Sequence, residues 1–215
     1  MFIKQFNKGD LILPFANLDR VEGNYSQQAQ DLFVLSCLNG KENGVYLDLG
    51  CNHPERINNT YLLESKFNWT GLSVDLDKSY TDTYNIRKSK VLCQDATRLD
   101  FNQVIKLLGT SKVDYLSLDL EPADITYKCL ENIPFNTIEF SVITYEHDFY
   151  RFGDTHRANS RALLKSKGYE ILCVDVTSDE GYIYEDWYYN PKYVDAKYVE
   201  VLKRNNVSGK QVVLK

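Results

Sequence analysis

Short apolar segments alternate with helical segments from Val45 onward, and this alternation constrains the fold more than any other feature of the sequence. Five segments rich in Val, Leu and Ile are predicted strands: VYLDL, GLSVDLD, KVLCQDA, VDYLSLDL and TIEFSVITYE. Each is followed by a predicted helix, in the order NNTYLLESKF, SYTDTYNIRK, FNQVIKLLG, ADITYKCLENI and HRANSRALLKSKG. Repeated strand–helix units predict a parallel sheet that is covered by helices on both faces.

Two further strand segments, YEILCVDVT and GYIYEDWYY, are separated by only a few residues and predict an antiparallel hairpin. Five parallel units followed by a hairpin match the seven-stranded, mostly parallel, Rossmann-like sheet of class I methyltransferases better than a plain dinucleotide-binding fold. We therefore predict one α/β domain over residues 1–215. It comprises an N-terminal segment and helix over 1–40, a cofactor-binding core over 45–190 and a C-terminal tail over 191–215.

Polar residues predict where two of the helices begin. Ser26 is the predicted N-cap of a helix in SQQAQDLFVLSCL, and Asn58 or Asn59 is the predicted cap of the helix after the first strand. Trp187, in EDWYY, is predicted to pack in the interior.

Charge and cysteine content restrict the partners and the compartment. The formal net charge of −5 argues against a general nucleic-acid binder, because phosphate binding draws on a surplus of Lys and Arg. The five cysteines form no CxxC pair, which predicts buried, reduced thiols. No apolar run approaches the roughly 18 residues of a membrane span, and the N-terminus has no signal-peptide pattern. We expect a soluble, cytoplasmic protein; its oligomeric state stays open.

Acidic residues stand at five successive predicted strand ends, namely Asp48, Asp75, Asp95, Asp119 and Glu146. Ligands of open α/β sheets bind at this edge, near the point where the strand order reverses. The predicted ligand site therefore lies among these carboxylates.

The first loop and the ends of the second and third strands indicate which cofactor binds there. Asp75 can accept both ribose hydroxyls, Asp95 can accept the adenine amine beside a backbone donor from Ala96, and Gly50 lets the backbone approach the ligand. The loop lacks the further glycines and the basic residue that would hold a pyrophosphate. These features favour S-adenosylmethionine over NAD.

Seven segments occur in the order seen in FkbM-type methyltransferases: YSQQAQDLFVL, VYLDLGCNHP, NNTYLLE, GLSVDLD, VDYLSLDLEP, VITYEHDFY and YEDWYYNP. The sequence resembles that family across roughly residues 25 to 191. The resemblance implies an S-adenosylmethionine-dependent O-methyltransferase, often one that acts on sugar hydroxyls. It also implies that Tyr25, Ser26 and Gln27 close over the methionine end of the cofactor. Asp48, Asn52 and Asp119 complete the predicted cofactor set.

Two positions depart from the family pattern. Pro122 follows Glu121 where the family usually has glycine, and Asp148 follows the "EH" of the fifth strand where asparagine is common. Because proline restricts the residue before it, the first departure concerns the acceptor side of the site.

Methyl transfer to an alcohol needs a base or a metal ion. Asp119 and Glu146 end adjacent strands, and with His147 they form a predicted set of ligands for Mg²⁺ or Mn²⁺. In a metal-free mechanism, His147 or Asp119 is the general base. In both mechanisms Glu121 orients or deprotonates the acceptor, and the sequence does not decide between them.

The predicted function is therefore O-methylation of a hydroxyl group. The preferred acceptor is a sugar or glycan, and another small molecule is the alternative acceptor. An NAD-linked oxidoreductase and a non-catalytic nucleoside-binding module are the alternatives. Three arginines, Arg151, Arg157 and Arg161, form either a solvated helix face or a clamp for an anionic acceptor.

Overall fold

A single eight-stranded sheet, in the order β3-β2-β1-β4-β5-β7-β6-β8, organises the computed structural model, which describes residues 5–215. Its strands are β1 (Val45–Leu49), β2 (Thr70–Asp75), β3 (Lys90–Cys93), β4 (Lys112–Leu118), β5 (Glu139–Glu146), β6 (Glu170–Thr177), β7 (Ile183–Tyr189) and β8 (Arg204–Asn205). The first four residues of the predicted N-terminal segment lie outside the described range.

Nine α-helices are present within residues 5–215: α1 (Gln30–Cys37), α2 (Tyr61–Phe67), α3 (Lys78–Thr81), α4 (Phe101–Leu108), α5 (Ala123–Asn132), α6 (Phe149–Phe152), α7 (Asp154–Ser166), α8 (Ala196–Val199) and α9 (Gly209–Val213). Over this range no helix has both the length and the apolar character needed to cross a bilayer.

The pairing of the strands confirms the predicted class I methyltransferase fold. Strands β1 to β5 pair in parallel, and β7 runs antiparallel between β5 and β6. The predicted hairpin is therefore present, but the sheet has an eighth strand, because two residues of the C-terminal tail pair with β6. The chain reverses its direction across the sheet between β1 and β4, so the carboxyl ends of these strands border the expected ligand crevice.

Helices cover both faces of the sheet, which explains why polar and apolar residues do not alternate along the central strands. All residues of β4 after Lys112, and all residues of β5 after Glu139, are buried. One apolar cluster includes Phe33 and Trp187, whose ring centroids lie 4.5 Å apart, so Trp187 packs in the interior as predicted. The other cluster lies on the opposite face and includes Ile143.

Neither predicted cap stands at the N-cap position of its helix. Thr60 is the N-cap of α2, although Oδ1 of the preceding Asn58 accepts the backbone N–H groups of Thr60 and Tyr61 at 3.0 and 2.8 Å. Ser26 does not cap α1, which begins only at Gln30. Its hydroxyl donates to the side chain of Asp31 at 2.7 Å and accepts the backbone N–H of Asp31 at 3.3 Å.

Arg87 is a buried cation that ties the loop after β1 to α2. Its guanidinium donates to the carbonyl of Pro54 at 2.8 Å and to the hydroxyls of Tyr46 and Thr60 at 2.9 and 3.0 Å. Its Nε lies 3.2 Å from Oε2 of Glu64, and both side chains are at most 4% exposed. The pairing compensates both buried charges and fixes the loop that borders the crevice.

We predict that Arg87→Met lowers the free energy of unfolding by about 3–5 kcal/mol, because it leaves the Glu64 carboxylate buried without a counter-charge. The double variant Arg87→Met/Glu64→Gln should recover part of the loss. Urea unfolding measures both. Lys78→Met is the control, since its ion pair with Asp82 is exposed to solvent and contributes little to stability. A loss in Arg87→Met no larger than in the control would contradict the prediction.

Candidate functional site

A cavity of about 770 Å³ opens at the carboxyl ends of β1, β2, β4 and β5. Its size lies in the upper part of the range found for small-molecule sites, roughly 300–1,000 Å³. The cavity is strongly acidic: seven described lining residues carry carboxyl groups, against Arg56 and His53 as basic residues. The acids are Asp48, Asp75, Asp119, Glu121, Glu146, Asp148 and Glu180.

Gly50 turns the chain at the end of β1, with φ at +87°. A Cβ atom at this position would lie 1.7 Å from the carbonyl oxygen of Asp119. Glycine is therefore required here because β1 and β4 leave the sheet in close contact. Gly50 also lines the cavity, so a close approach of its backbone to a ligand stays a prediction.

Asp75 connects two loops at the cavity wall. Its Oδ2 accepts the N–H of Asn52 at 2.8 Å, and its Oδ1 accepts the N–H of Asp77 at 2.8 Å. A carboxylate has about four acceptor positions, so two of them remain for ligand hydroxyls. Asp75 and Asn52 both line the cavity.

Asp48 lies below this wall and is 2% exposed. It accepts the hydroxyl of Thr60 at 2.9 Å. Burial raises the pKa of Asp48 to about 6, although hydrogen bonds and the nearby Arg87 oppose the shift. Asp48 is therefore close to its titration midpoint near neutral pH.

Three more carboxyl groups lie deep in the cavity or behind it. Burial raises the pKa of Asp119 to about 6. Burial, with Asp119 and Asp148 as neighbouring like charges, raises the pKa of Glu146 well above its usual range. Burial also raises the pKa of Glu185, which lies opposite Glu146 on β7, to about 8. The raised pKa values mean that this buried group of acids retains protons at a pH where exposed carboxyl groups are fully ionised.

His147 does not point into this cavity, which corrects the predicted metal set of Asp119, Glu146 and His147. Successive side chains of a strand point to opposite faces, and Glu146 takes the cavity side. His147 Nε2 lies 3.6 Å from Asp186 Oδ1, and its Nδ1 accepts the N–H of Phe149 at 3.2 Å. The same geometry removes His147 as the predicted general base.

The arginine cluster is divided between two structural roles. Arg157 and Arg161 both pair with Asp175, at 2.8 and 2.6 Å, and Arg161 also pairs with Asp186 at 2.7 Å. Burial alone would raise the pKa of Asp186, but His147 and Arg161 lower it to about 2. These two arginines form a partly buried network behind the cavity and are not a clamp for an anionic acceptor.

Arg151 is the third member and faces the cavity rim. Its Nη1 lies 2.7 Å from Glu121 Oε1 and 3.7 Å from Asp148 Oδ2. Glu121 is predominantly exposed and precedes a cis peptide bond to Pro122. The predicted role of Glu121 toward the acceptor is compatible with this position at the rim.

The remaining predicted cofactor residues fall into two groups. Gln27 lines the cavity, whereas Tyr25 and Ser26 lie beneath it and bind Asp31 through backbone N–H groups. Asp95 and Ala96 are not among the lining residues. The Asp95 side chain accepts the N–H and the hydroxyl of Thr97 at 2.9 and 2.7 Å. Asp95 therefore caps a turn, and its contact with adenine stays a prediction.

Sequence reasoning missed an aromatic pair at the cavity mouth. Tyr150 in α6 and Tyr182 before β7 stack with ring centroids 5.0 Å apart and an interplanar angle of 29°. They are 47% and 54% exposed, and both line the cavity. The sequence shows that tyrosines are frequent after residue 180, but no local pattern indicates that one of them stacks on a residue of α6.

Solved structures with the same fold support the assignment of the sheet. A Clostridium thermocellum protein described as a candidate rRNA methylase has a TM-score of 0.53 at 12% identity, covering 79% of this chain and 97% of that chain. An rRNA methylase from Streptococcus thermophilus has a TM-score of 0.50 at 10% identity, covering 74% and 93%. The METTL16 methyltransferase domain has a TM-score of 0.51 at 9% identity, covering 82% and 88%.

No protein-family model and no curated protein matches the chain. At these identities the solved structures show a class I methyltransferase fold, and the FkbM-type resemblance stays a prediction.

The buried acids predict a stability that falls as pH rises. A carboxyl group whose pKa is raised by folding stabilises the fold fully below its unfolded pKa, and this contribution is lost as pH rises through the folded pKa. For Asp48, which moves from 3.8 to about 6, the loss is about 3 kcal/mol. We expect the free energy of unfolding to decline from about pH 4 to about pH 8.

Urea unfolding across this range checks the decline. Glu185→Gln should flatten the decline between about pH 4.5 and pH 8, because in this range the wild-type carboxyl keeps its proton in the folded protein and has lost it in the unfolded chain. Glu131→Gln, an exposed site on α5, should leave the slope unchanged. A stability that rises with pH would contradict the predicted sign.

Proposed function

We propose that this chain is an S-adenosylmethionine-dependent O-methyltransferase that acts on a hydroxyl group of a sugar or glycan. The observation that carries the proposal is the acidic cavity at the carboxyl edge of a class I methyltransferase sheet. A sulfonium carries a positive charge, which a cavity lined mainly by carboxylates stabilises. The pyrophosphate of NAD would meet repulsion from the same groups, so the cavity disfavours the oxidoreductase alternative.

We assign S-adenosylmethionine, the methyl donor, to the side of the cavity next to β1 and β2. Asp75 accepts the ribose hydroxyls through its two remaining acceptor positions, beside Asn52. Asp48, Gly50 and Gln27 lie toward the methionine end. The exposed side chains of Ile57 and Leu76, both in the cavity lining, provide apolar contacts for adenine.

We predict that Asp75→Ala weakens binding of S-adenosylhomocysteine about 10- to 100-fold, because two hydrogen bonds to a carboxylate are lost. Asp75→Asn keeps a neutral acceptor and should lose less. Isothermal titration calorimetry measures both, and Asp82→Ala, an exposed acid on the same segment, is the control. Unchanged affinity in a folded Asp75→Ala protein would exclude the assignment. Binding of NAD but not of S-adenosylhomocysteine would favour the oxidoreductase.

The chemistry assigned to the site is an in-line displacement. The acceptor oxygen forms a bond to the methyl carbon as the carbon–sulfur bond breaks, and the sulfur leaves as a neutral thioether. The hydroxyl proton passes to Asp119, whose pKa of about 6 suits a general base near neutral pH. Glu146 lies beside Asp119, and because burial and the neighbouring Asp119 raise its pKa well above the usual range, Glu146 keeps its own proton while Asp119 accepts the proton of the acceptor.

The rim of the cavity supports a sugar as the acceptor. The stacked rings of Tyr150 and Tyr182 present apolar faces beside polar groups, a combination that suits the C–H faces and hydroxyls of a sugar ring. Glu121, Asp148 and Glu180 place negative charge at the same opening, which would repel a phosphodiester backbone. The charge of the rim therefore favours a carbohydrate over RNA.

We predict that Tyr150→Ala and Tyr182→Ala each raise the KM for the acceptor up to about tenfold, because each removes an aromatic contact. The KM for S-adenosylmethionine should not change. Tyr150→Phe and Tyr182→Phe, which retain the rings, are the matched controls.

Transfer of a labelled methyl group to oligosaccharides and to RNA, measured in parallel, identifies the acceptor class. Incorporation into RNA alone would overturn the sugar assignment. Donor binding without transfer to any hydroxyl acceptor would favour the non-catalytic binding module.

A further inference from the structure

Three carboxyl groups converge at one side of the cavity. One oxygen from each of Glu121, Glu146 and Asp148 lies within 4.8 Å of the others. They come from the loop after β4, the end of β5 and the residue before α6. All three line the cavity. The convergence is therefore produced by two adjacent parallel strands that end at the same edge.

A buried, unsatisfied oxygen indicates that this group faces a missing partner. Asp148 is 3% exposed, and its Oδ2 has no hydrogen-bond partner among the described residues. The nearest cation, Nη1 of Arg151, is 3.7 Å away and is engaged by Glu121. A buried polar atom without a partner is costly, and a carboxylate more so.

The surrounding charges increase this cost. Glu146 pairs directly across the sheet with Glu185, and Asp119 lies on its other side. Like charges opposite each other on neighbouring strands are destabilising. A bound cation would compensate several of these groups at once.

We propose that Glu121, Glu146 and Asp148 bind one divalent cation of the Mg²⁺ or Mn²⁺ class. The donor set consists of carboxylate oxygens, which hard divalent cations prefer, and it contains no thiol or imidazole. Neighbouring oxygens around octahedral Mg²⁺ lie about 3 Å apart, so side chains whose oxygens lie within 4.8 Å of one another must move closer to close the set. Glu121 can make this shift, because its side chain is 66% exposed.

The role of the cation, unlike its binding, rests on the proposed function. Neighbouring hydroxyls of a sugar would complete its coordination beside Asp119 and would lose a proton more readily. Arg151 competes for Glu121 and Asp148 when no divalent ion is bound. Removal of Arg151 should therefore strengthen cation binding, which no purely structural role of the acids predicts.

Binding of Mn²⁺ to the full chain, without donor or acceptor, tests the proposal through the electron paramagnetic resonance signal of free Mn²⁺. We expect saturable binding at one site, about tenfold or more weaker in Asp148→Asn and in Glu121→Gln. Arg151→Gln should bind more tightly, and Glu131→Gln should bind as the wild type does. Competition with Mg²⁺ shows whether the site accepts that ion.

Two results would overturn the cation site: no saturable binding by the wild-type protein, or wild-type affinity in the folded acid variants. Should Asp148→Asn fail to fold, Glu121→Gln at the exposed position decides. Titration of S-adenosylhomocysteine into the same samples keeps the two proposals apart. If the wild-type protein does not bind S-adenosylhomocysteine, the methyltransferase proposal fails. The Mn²⁺ measurement still decides whether the cation site exists.

Discussion

The buried ion pair of Arg87 and Glu64 supports the side of the crevice on which the cofactor is assigned. Without a counter-charge, neither group could remain in a site that is at most 4% exposed. Arg87 also binds the carbonyl of Pro54 and the hydroxyl of Thr60, and Thr60 in turn binds Asp48. The loop after β1, the start of α2 and the carboxylate at the bottom of the cavity are thus held by one network.

A second constraint acts at the reversal of strand order. Gly50 passes so close to the Asp119 carbonyl that any side chain would collide with it. This contact draws the ends of β1 and β4 together and brings Asp48 and Asp119 into one cavity. Burial, with the accumulated negative charge as a smaller cause, raises carboxyl pKa values toward neutrality, which costs stability at high pH. The same charge is what makes the cavity suitable for cationic ligands, so the cost and the proposed function have one physical origin.

Two adjacent ionisable residues, Glu146 and His147, illustrate how the end of one strand serves both sides of the sheet. Glu146 faces the cavity, where burial and its acidic neighbours raise its pKa. His147 faces the network of Asp186 and Arg161, where charges are balanced and the pKa of Asp186 is low. The balanced network connects α7 to β6, to β7 and to the end of β5, and it lies directly behind the acidic cavity.

The amino-acid sequence alone determined the strand–helix order, the hairpin and the acidic edge. Each follows from local periodicity and from the rule that parallel strands end at the same side. Only the tertiary structure decided the use of individual side chains. Asp95 caps its own turn, His147 turns away, and Tyr150 meets Tyr182. Strand alternation could have excluded His147 beforehand, but the other outcomes depend on contacts between segments distant in the chain, which local patterns do not contain.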